Sequence, residues 1–213
     1  MAEISDHPVR IRVLSVDDHP LLREGIAAII NAQPDMLLAA TASSGREAIQ
    51  NFREHQPDVT LMDLRLPDLS GIDALIAIRS EFPDARIILL TTFNGDVDIK
   101  RALKAGAYGY LLKSTPRKDL VEAIRKVHSG KKSVPPEVAA HLAEHLSGES
   151  LTEREIDVLR HIAGGNRNKD IGERLFISED TVKVHVKHIM EKLGASDRTQ
   201  AMAIAVRRGI IQI

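Results

Sequence analysis

The 213-residue sequence contains no cysteine. That excludes a disulfide framework, a thiolate metal site and a cysteine nucleophile, and it is compatible with a reducing compartment. Aromatic residues make up only 3% of the chain, too few to build base-stacking platforms for single-stranded nucleic acid. No apolar run approaches the roughly 18–20 residues needed to span a bilayer. The opening MAEISDHPVR lacks the basic-then-apolar order of a signal peptide. Nor is there an excess of one charge, with 29 Lys and Arg against 30 Asp and Glu. Residues 148–213 carry 11 basic and 10 acidic side chains, so any nucleic-acid site must be a local arrangement rather than a basic domain. These absences point to a soluble, cytoplasmic protein of two domains.

What is present divides near Gly130. Before it, apolar β-type runs alternate with amphipathic stretches. Strands are expected at 9–16, 36–42, 58–63, 85–92 and 107–113. Helices are expected between them, including one over about 71–81 and a weaker one near 96–105, with a last helix through Leu120, Ile124 and Val127. This alternation predicts a parallel sheet covered by helices on both faces, and near-continuous apolar strands fit burial on both sides. GKKSVPPE then reads as a linker. Val138, Leu142 and Leu146 predict a short helix within it, and SGES (147–150) closes it.

An open parallel sheet places its ligands beyond the carboxyl ends of its strands. Here the first strand ends in Asp17-Asp18, the third in Asp63, the fourth in Thr91-Thr92 and the fifth in Lys113. Three carboxylates on one rim repel one another unless a cation neutralises them, and an all-oxygen set suits Mg²⁺. A carboxylate beside a metal and an ammonium can accept a phosphoryl group. A dinucleotide-binding fold would require a glycine-rich turn after the first strand, and VDDHPLLREG is not one.

VDDH, LMDLRLPDLSG, LLTT and GYLLKS resemble the receiver domain of bacterial two-component response regulators over about residues 9–129. The resemblance implies a doubly wound, flavodoxin-like sheet with Asp63 as phosphoacceptor. It implies Mg²⁺ held by Asp18, Asp63 and the backbone carbonyl of Arg65, with Asp17 reaching it through water. Lys113 would contact the phosphoryl group. Thr91 and Tyr110 would form the switch pair, Thr92 would leave room for the donor, and Pro67 and Gly71 would fix the turn after Asp63. The chain departs from the family in having Lys113-Ser114 where Lys-Pro is common. A haloacid-dehalogenase-type phosphatase also forms an aspartyl phosphate, but it wants a second Asp two residues on, where Arg65 stands.

The last 63 residues read as all-helical. Thr152 and Glu155 make a capping box, with Ile156, Leu159 and Ala163 on the inner face of the helix that follows. GGN (164–166) breaks that helix, 168–175 is a short helix, and Ser178 caps a longer one. In TVKVHVKHI (181–189) valines alternate as in a strand. Val182, Val186, Ile189, Met190 and Leu193 nevertheless follow helical spacing, which leaves Val184, Lys183 and Lys187 off the core stripe. A helix over 198–209 ends the domain.

LTEREIDVLRHIAGGNRNKDIGERLFISEDTVKVHVKHIMEKLGASDRTQAM resembles the LuxR-type helix-turn-helix over 150–213. Together the two halves are similar to the NarL/FixJ response regulators. The resemblance implies a non-enzymatic transcription factor, whose receiver promotes only its own aspartyl phosphorylation and dephosphorylation. Its implied partners are a sensor histidine kinase and double-stranded promoter DNA. A homodimer would form on phosphorylation or DNA binding, and RNA polymerase is a further candidate partner. Lys183, Val184 and Lys187 would read bases, while Asn168, Lys169, Thr181, His185 and His188 would contact phosphates. Gly172 departs from the family, where alanine is commoner.

Overall fold

The computed structural model describes residues 10–92, 96–134 and 151–211. The expected linker helix through Val138, Leu142 and Leu146 and the SGES segment lie outside the described residues. The chain forms two compact units, an α/β unit followed by an all-α unit.

Up to His128 the chain alternates five strands with five helices: β1 Ile11–Val16, α1 Pro20–Asn31, β2 Met36–Ala42, α2 Gly45–His55, β3 Val59–Asp63, α3 Gly71–Glu81, β4 Ile87–Thr91, α4 Asp96–Lys104, β5 Gly109–Leu112 and α5 Arg117–His128. The strands form one sheet in the order β2-β1-β3-β4-β5, and every neighbouring pair is parallel. This is the doubly wound order in which β1 and β3 flank the switch point. Helices α1 and α5 pack together, as do α2 and α3, consistent with one pair on each face. Every residue of β3 and of β4 is buried, as their unbroken apolar runs require.

Within GKKSVPPE one residue is tied to the sheet. Ser133 forms a parallel bridge with Gly109, its N–H donating to Tyr108 O at 2.8 Å and its carbonyl accepting from Tyr110 N at 3.2 Å. The segment thus covers part of the edge of β5, which would otherwise present unpaired backbone groups. Gly109 permits the approach, because a Cβ there would stand 3.0 Å from Ser133 O.

The second unit contains α6 Glu153–Ala163, α7 Asn168–Leu175, α8 Glu179–Leu193 and α9 Arg198–Arg207. Its core includes Val158, Leu159, Ile162, Ile171, Val182, Ile189, Leu193, Ala201 and Ala205. The inner face of α6 is therefore centred on Val158, Leu159 and Ile162, with Ile156 and Ala163 only partly buried. The capping box forms as the sequence predicts, Thr152 N donating to Glu155 Oε2 at 2.8 Å and Glu155 N to Thr152 Oγ1 at 3.3 Å. Glu155 also meets Lys192 of α8 at 2.9 Å. Burial pushes this carboxyl up, but Lys192 and Thr152 outweigh it and hold Glu155 below its ordinary range. No described helix is long and apolar enough to cross a membrane.

Candidate functional site

The parallel register brings the strand ends to one rim. Asp63 is the last residue of β3 and Asp17 follows β1 directly, with its N–H donating to Ala42 O at 3.1 Å. Both are buried, whereas Asp18 is exposed. Lys113 follows β5 and donates its backbone N–H to Thr91 O at 2.6 Å, so the end of β4 sets where the lysine starts. Its Nζ lies 2.7 Å from Asp17 Oδ2 and 2.8 Å from Asp63 Oδ2. Arg65 N–H donates to Asp63 Oδ1 at 3.2 Å.

The turn after Asp63 is built on close approach. Gly71 N–H donates to Leu64 O at 2.9 Å, and a Cβ on Gly71 would overlap the carbonyl of Asp63. Only glycine lets α3 start this near the strand end. Asp68, in the same turn, accepts from Gly45 N at 2.8 Å and Arg46 N at 3.1 Å. It anchors the turn to the start of α2, where a carboxylate is favoured.

The electrostatics of the pocket have one sign. Burial raises the Asp63 carboxyl, with Asp17 adding to the effect and Lys113 and the Arg65 N–H opposing it. Burial alone would lower Lys113, but Asp17 and Asp63 outweigh it and raise the ammonium. Two buried carboxylates facing one ammonium leave excess negative charge, so the pocket favours added positive charge.

His19 joins this rim. Its backbone N–H donates to Asp17 Oδ1 at 2.9 Å, and its ring Nδ1 lies 3.2 Å from Asp17 Oδ1 and 2.7 Å from Asp18 Oδ1. One ligand atom from each of Asp17, Asp18, His19 and Asp63 falls within 4.8 Å of the others. That cluster fits a divalent cation by donor type and spacing. Sequence reasoning assigned His19 no role, although it directly follows the aspartate pair. Thr91, closing β4, is buried, and Thr92 beside it is exposed. The Tyr110 ring is fully buried on β5.

The second unit separates the residues singled out in 181–189. Val182 and Ile189 are buried, Val186 and Met190 partly so, and Val184 is 50% exposed. The run 181–190 contains no acid, yet its lysines are paired with acids just outside it. Lys183 Nζ is 3.0 Å from Asp180 and 3.4 Å from Glu179, and Lys187 Nζ is 3.8 Å from Glu191. These exposed pairs contribute little and can be exchanged for stronger ligands. Thr181 N–H donates to Ser178 Oγ at 3.1 Å, capping α8. Lys169 and His188 are exposed and His185 partly so. Asn168 Oδ1 is buried with no hydrogen-bond partner among the described residues.

The structure also supplies a reason for Gly172, which sequence reasoning lacked. Ile177 N–H donates to Gly172 O at 2.9 Å, and a Cβ on Gly172 would stand 2.7 Å from Ile177 O. The turn between α7 and α8 folds directly onto this glycine.

Comparison with known proteins gives the same division. The response regulator receiver domain matches residues 13–125, and the luxR family of bacterial regulatory proteins matches 149–205. The chain is 43% identical over 215 residues to the uncharacterized transcriptional regulatory protein YxjL of Bacillus subtilis (strain 168), covering 95% of this chain and 98% of that one. It is 39% identical over 207 residues to the response regulator protein VraR of Staphylococcus aureus (strain NCTC 8325 / PS 47), covering 95% and 99%. Among solved structures it is similar to the response regulator RcsB in complex with DNA, with a TM-score of 0.71, 26% identity and coverage of 93% and 98%. It is also similar to ChrA, the response regulator of a heme-sensing two-component system, with a TM-score of 0.57, 36% identity and coverage of 95% and 99%.

Proposed function

Because the chain belongs to the response regulators that join a receiver domain to a LuxR-type helix-turn-helix, we propose that it is a transcription factor switched by phosphorylation of Asp63. The observation that supports this most directly is the Lys113 ammonium seated between the carboxylates of Asp17 and Asp63. We assign the receiver to 9–129, the linker to 130–149 and the DNA-binding domain to 150–213. The chain works as a switch, acting chemically only on its own aspartate.

Asp18, Asp63 and the carbonyl of Arg65 would hold Mg²⁺, with Asp17 reaching it through water. When bound, the ion neutralises phosphoryl oxygens and lowers the repulsion among the carboxylates. Asp63 attacks the phosphorus of a phosphohistidine on a sensor kinase. A new O–P bond forms, the N–P bond breaks, and its electron pair returns to the imidazole. Lys113 offsets the charge on the phosphoryl oxygens. Thr92, exposed beside the site, leaves the donor room, and Thr91 and Tyr110 shift the receiver between two states.

In the DNA-binding domain, α8 enters the major groove. Lys183 and Lys187 exchange their acidic partners for guanine O6 and N7, and Val184 meets a thymine methyl. Asn168, Lys169, Thr181, His185 and His188 contact phosphates. The partners are a sensor histidine kinase, duplex promoter DNA and a second copy of the chain, with RNA polymerase engaged at the promoter, and the setting is cytoplasmic. The test is phosphorylation by a small acyl phosphate with Mg²⁺. Wild type should form an acid-stable, base-labile phosphoprotein and Asp63→Asn should not. An Asp63→Asn chain labelled at the wild-type rate refutes the assignment.

A further inference from the structure

A groove of about 360 Å³ in the second unit is lined by Gly165, Asn166, Arg167, Arg198, Thr199 and Met202, among others. Both arginines stand where a helix disfavours a cation. Arg167 is the N-cap of α7 and its side chain makes no capping hydrogen bond, although Ser, Thr, Asp and Asn are the residues that stabilise this position. Arg198 is the first residue of α9, again at the positive end of a helix dipole.

Among the described residues neither guanidinium has an acidic partner. Among the described residues Arg198 donates only to the backbone carbonyl of Asn166, at 3.2 Å, and Arg167 makes no ion pair. The two nearest carboxylates in sequence are engaged with backbone N–H groups, Asp170 accepting from Arg167 N at 3.2 Å and Asp197 from Gln200 N at 2.8 Å. The groove therefore holds two cations at the positive ends of helices, with Thr199 exposed beside them. Such an arrangement is stabilised by an anion from outside the chain.

We infer that Arg167, Arg198 and Thr199 form a clamp for a backbone phosphate of duplex DNA, a contact independent of the bases read by α8. The inference rests on the DNA-binding reading above and adds to it. Arg167 immediately precedes Asn168 and Lys169, so the groove continues the line of phosphate contacts proposed at the start of α7. This first helix of the motif is the one that crosses the DNA backbone. A phosphate contact fixes register and adds affinity without sequence preference.

The experiment uses the full chain, a duplex selected from a random pool, and a scrambled duplex, with affinity measured by fluorescence anisotropy across a salt series. Arg167→Ser supplies a capping hydroxyl and removes the charge, and Arg167→Asp reverses the charge. Both variants should melt at or above the wild-type temperature while binding DNA more weakly. The loss should be equal on both duplexes. The slope of log K against log salt should fall by ~0.9 for Arg167→Ser, the amount expected for one phosphate. Lys187→Ala serves as the contrast and should lose mainly the selected duplex. An unchanged salt slope in Arg167→Ser, or a loss confined to the selected duplex, overturns the clamp while leaving the α8 reading standing. A wild-type chain that binds neither duplex overturns both.

Discussion

A Cβ on Gly71 would clash with the carbonyl oxygen of Asp63, the oxygen and the ideal Cβ position being 2.1 Å apart. The start of α3 is thus in contact with the backbone of the proposed phosphoacceptor. Gly71→Ala cannot be absorbed by a side-chain rotation, because the atom it meets is backbone. The variant should lose about 1–3 kcal/mol from overpacking and take phosphate from an acyl donor more slowly, since moving α3 moves Asp63. Urea denaturation and the phosphorylation rate measure the two effects. A fall in stability with no change in rate would separate the turn from the site.

The Asp63 carboxyl is raised above its ordinary 3.8, so its ionisation in the folded state costs stability. That contribution is fully favourable below the unfolded value and is lost as pH rises through the folded value. Asp63→Asn removes the cost. The variant should therefore be more stable than wild type at neutral pH, and the two should converge as pH falls below about 4. Denaturation curves at several pH values check this.

Lys113 is raised as well, so its contribution has the same sign. Its ammonium is raised above 10.5, so its contribution is fully present below that value and is lost as pH rises through the folded value. Lys113→Met should destabilise the first unit at neutral pH by about 3 kcal/mol, toward the low end for breaking a buried pair. The deficit should shrink in strongly alkaline solution, where Lys113 loses its charge, and also in acid, as Asp63 is protonated. A Lys113→Met chain as stable as wild type at neutral pH would show that the ion pairs add nothing net.

Gly172→Ala sets helix propensity against packing. Alanine gains about 0.5–1 kcal/mol in a helix interior, but its methyl would stand 2.7 Å from Ile177 O. Overpacking of about 1–3 kcal/mol should win. The net loss should be ~1 kcal/mol, read from thermal unfolding of the second unit. A more stable variant would mean that the turn shifts at little cost.

Val184, 50% exposed, should be dispensable for folding. Val184→Ser should melt with wild type, within ~0.5 kcal/mol as for other surface changes. It should lose discrimination at a thymine-bearing position by roughly 1–3 kcal/mol. Competition between duplexes differing at one base pair measures this. Equal loss on every duplex would make Val184 a general contact.

The sequence by itself determined the elements and their order. Apolar runs too long for one-sided strands could only be buried between helix layers, which predicted the parallel sheet. The five apolar positions from Val182 to Leu193 likewise required a helix despite the alternating valines. The carboxylates and Lys113 were legible because strand ends in such a sheet share one rim. Tertiary structure decided what depends on atoms distant in sequence. Lys113 reaches both Asp17 and Asp63 because β4 and β5 register as they do, and His19 joins the aspartates because its loop turns back on the Asp17 side chain. The use of Gly71 and Gly172 is invisible to periodicity, since a missing Cβ matters only where another backbone comes close. The bridge from Ser133 to Gly109 was hidden because a single bridge to an edge strand leaves no pattern in sequence. The groove of Arg167 and Arg198 was equally hidden: two cations 31 positions apart become a site only when the ends of two helices meet.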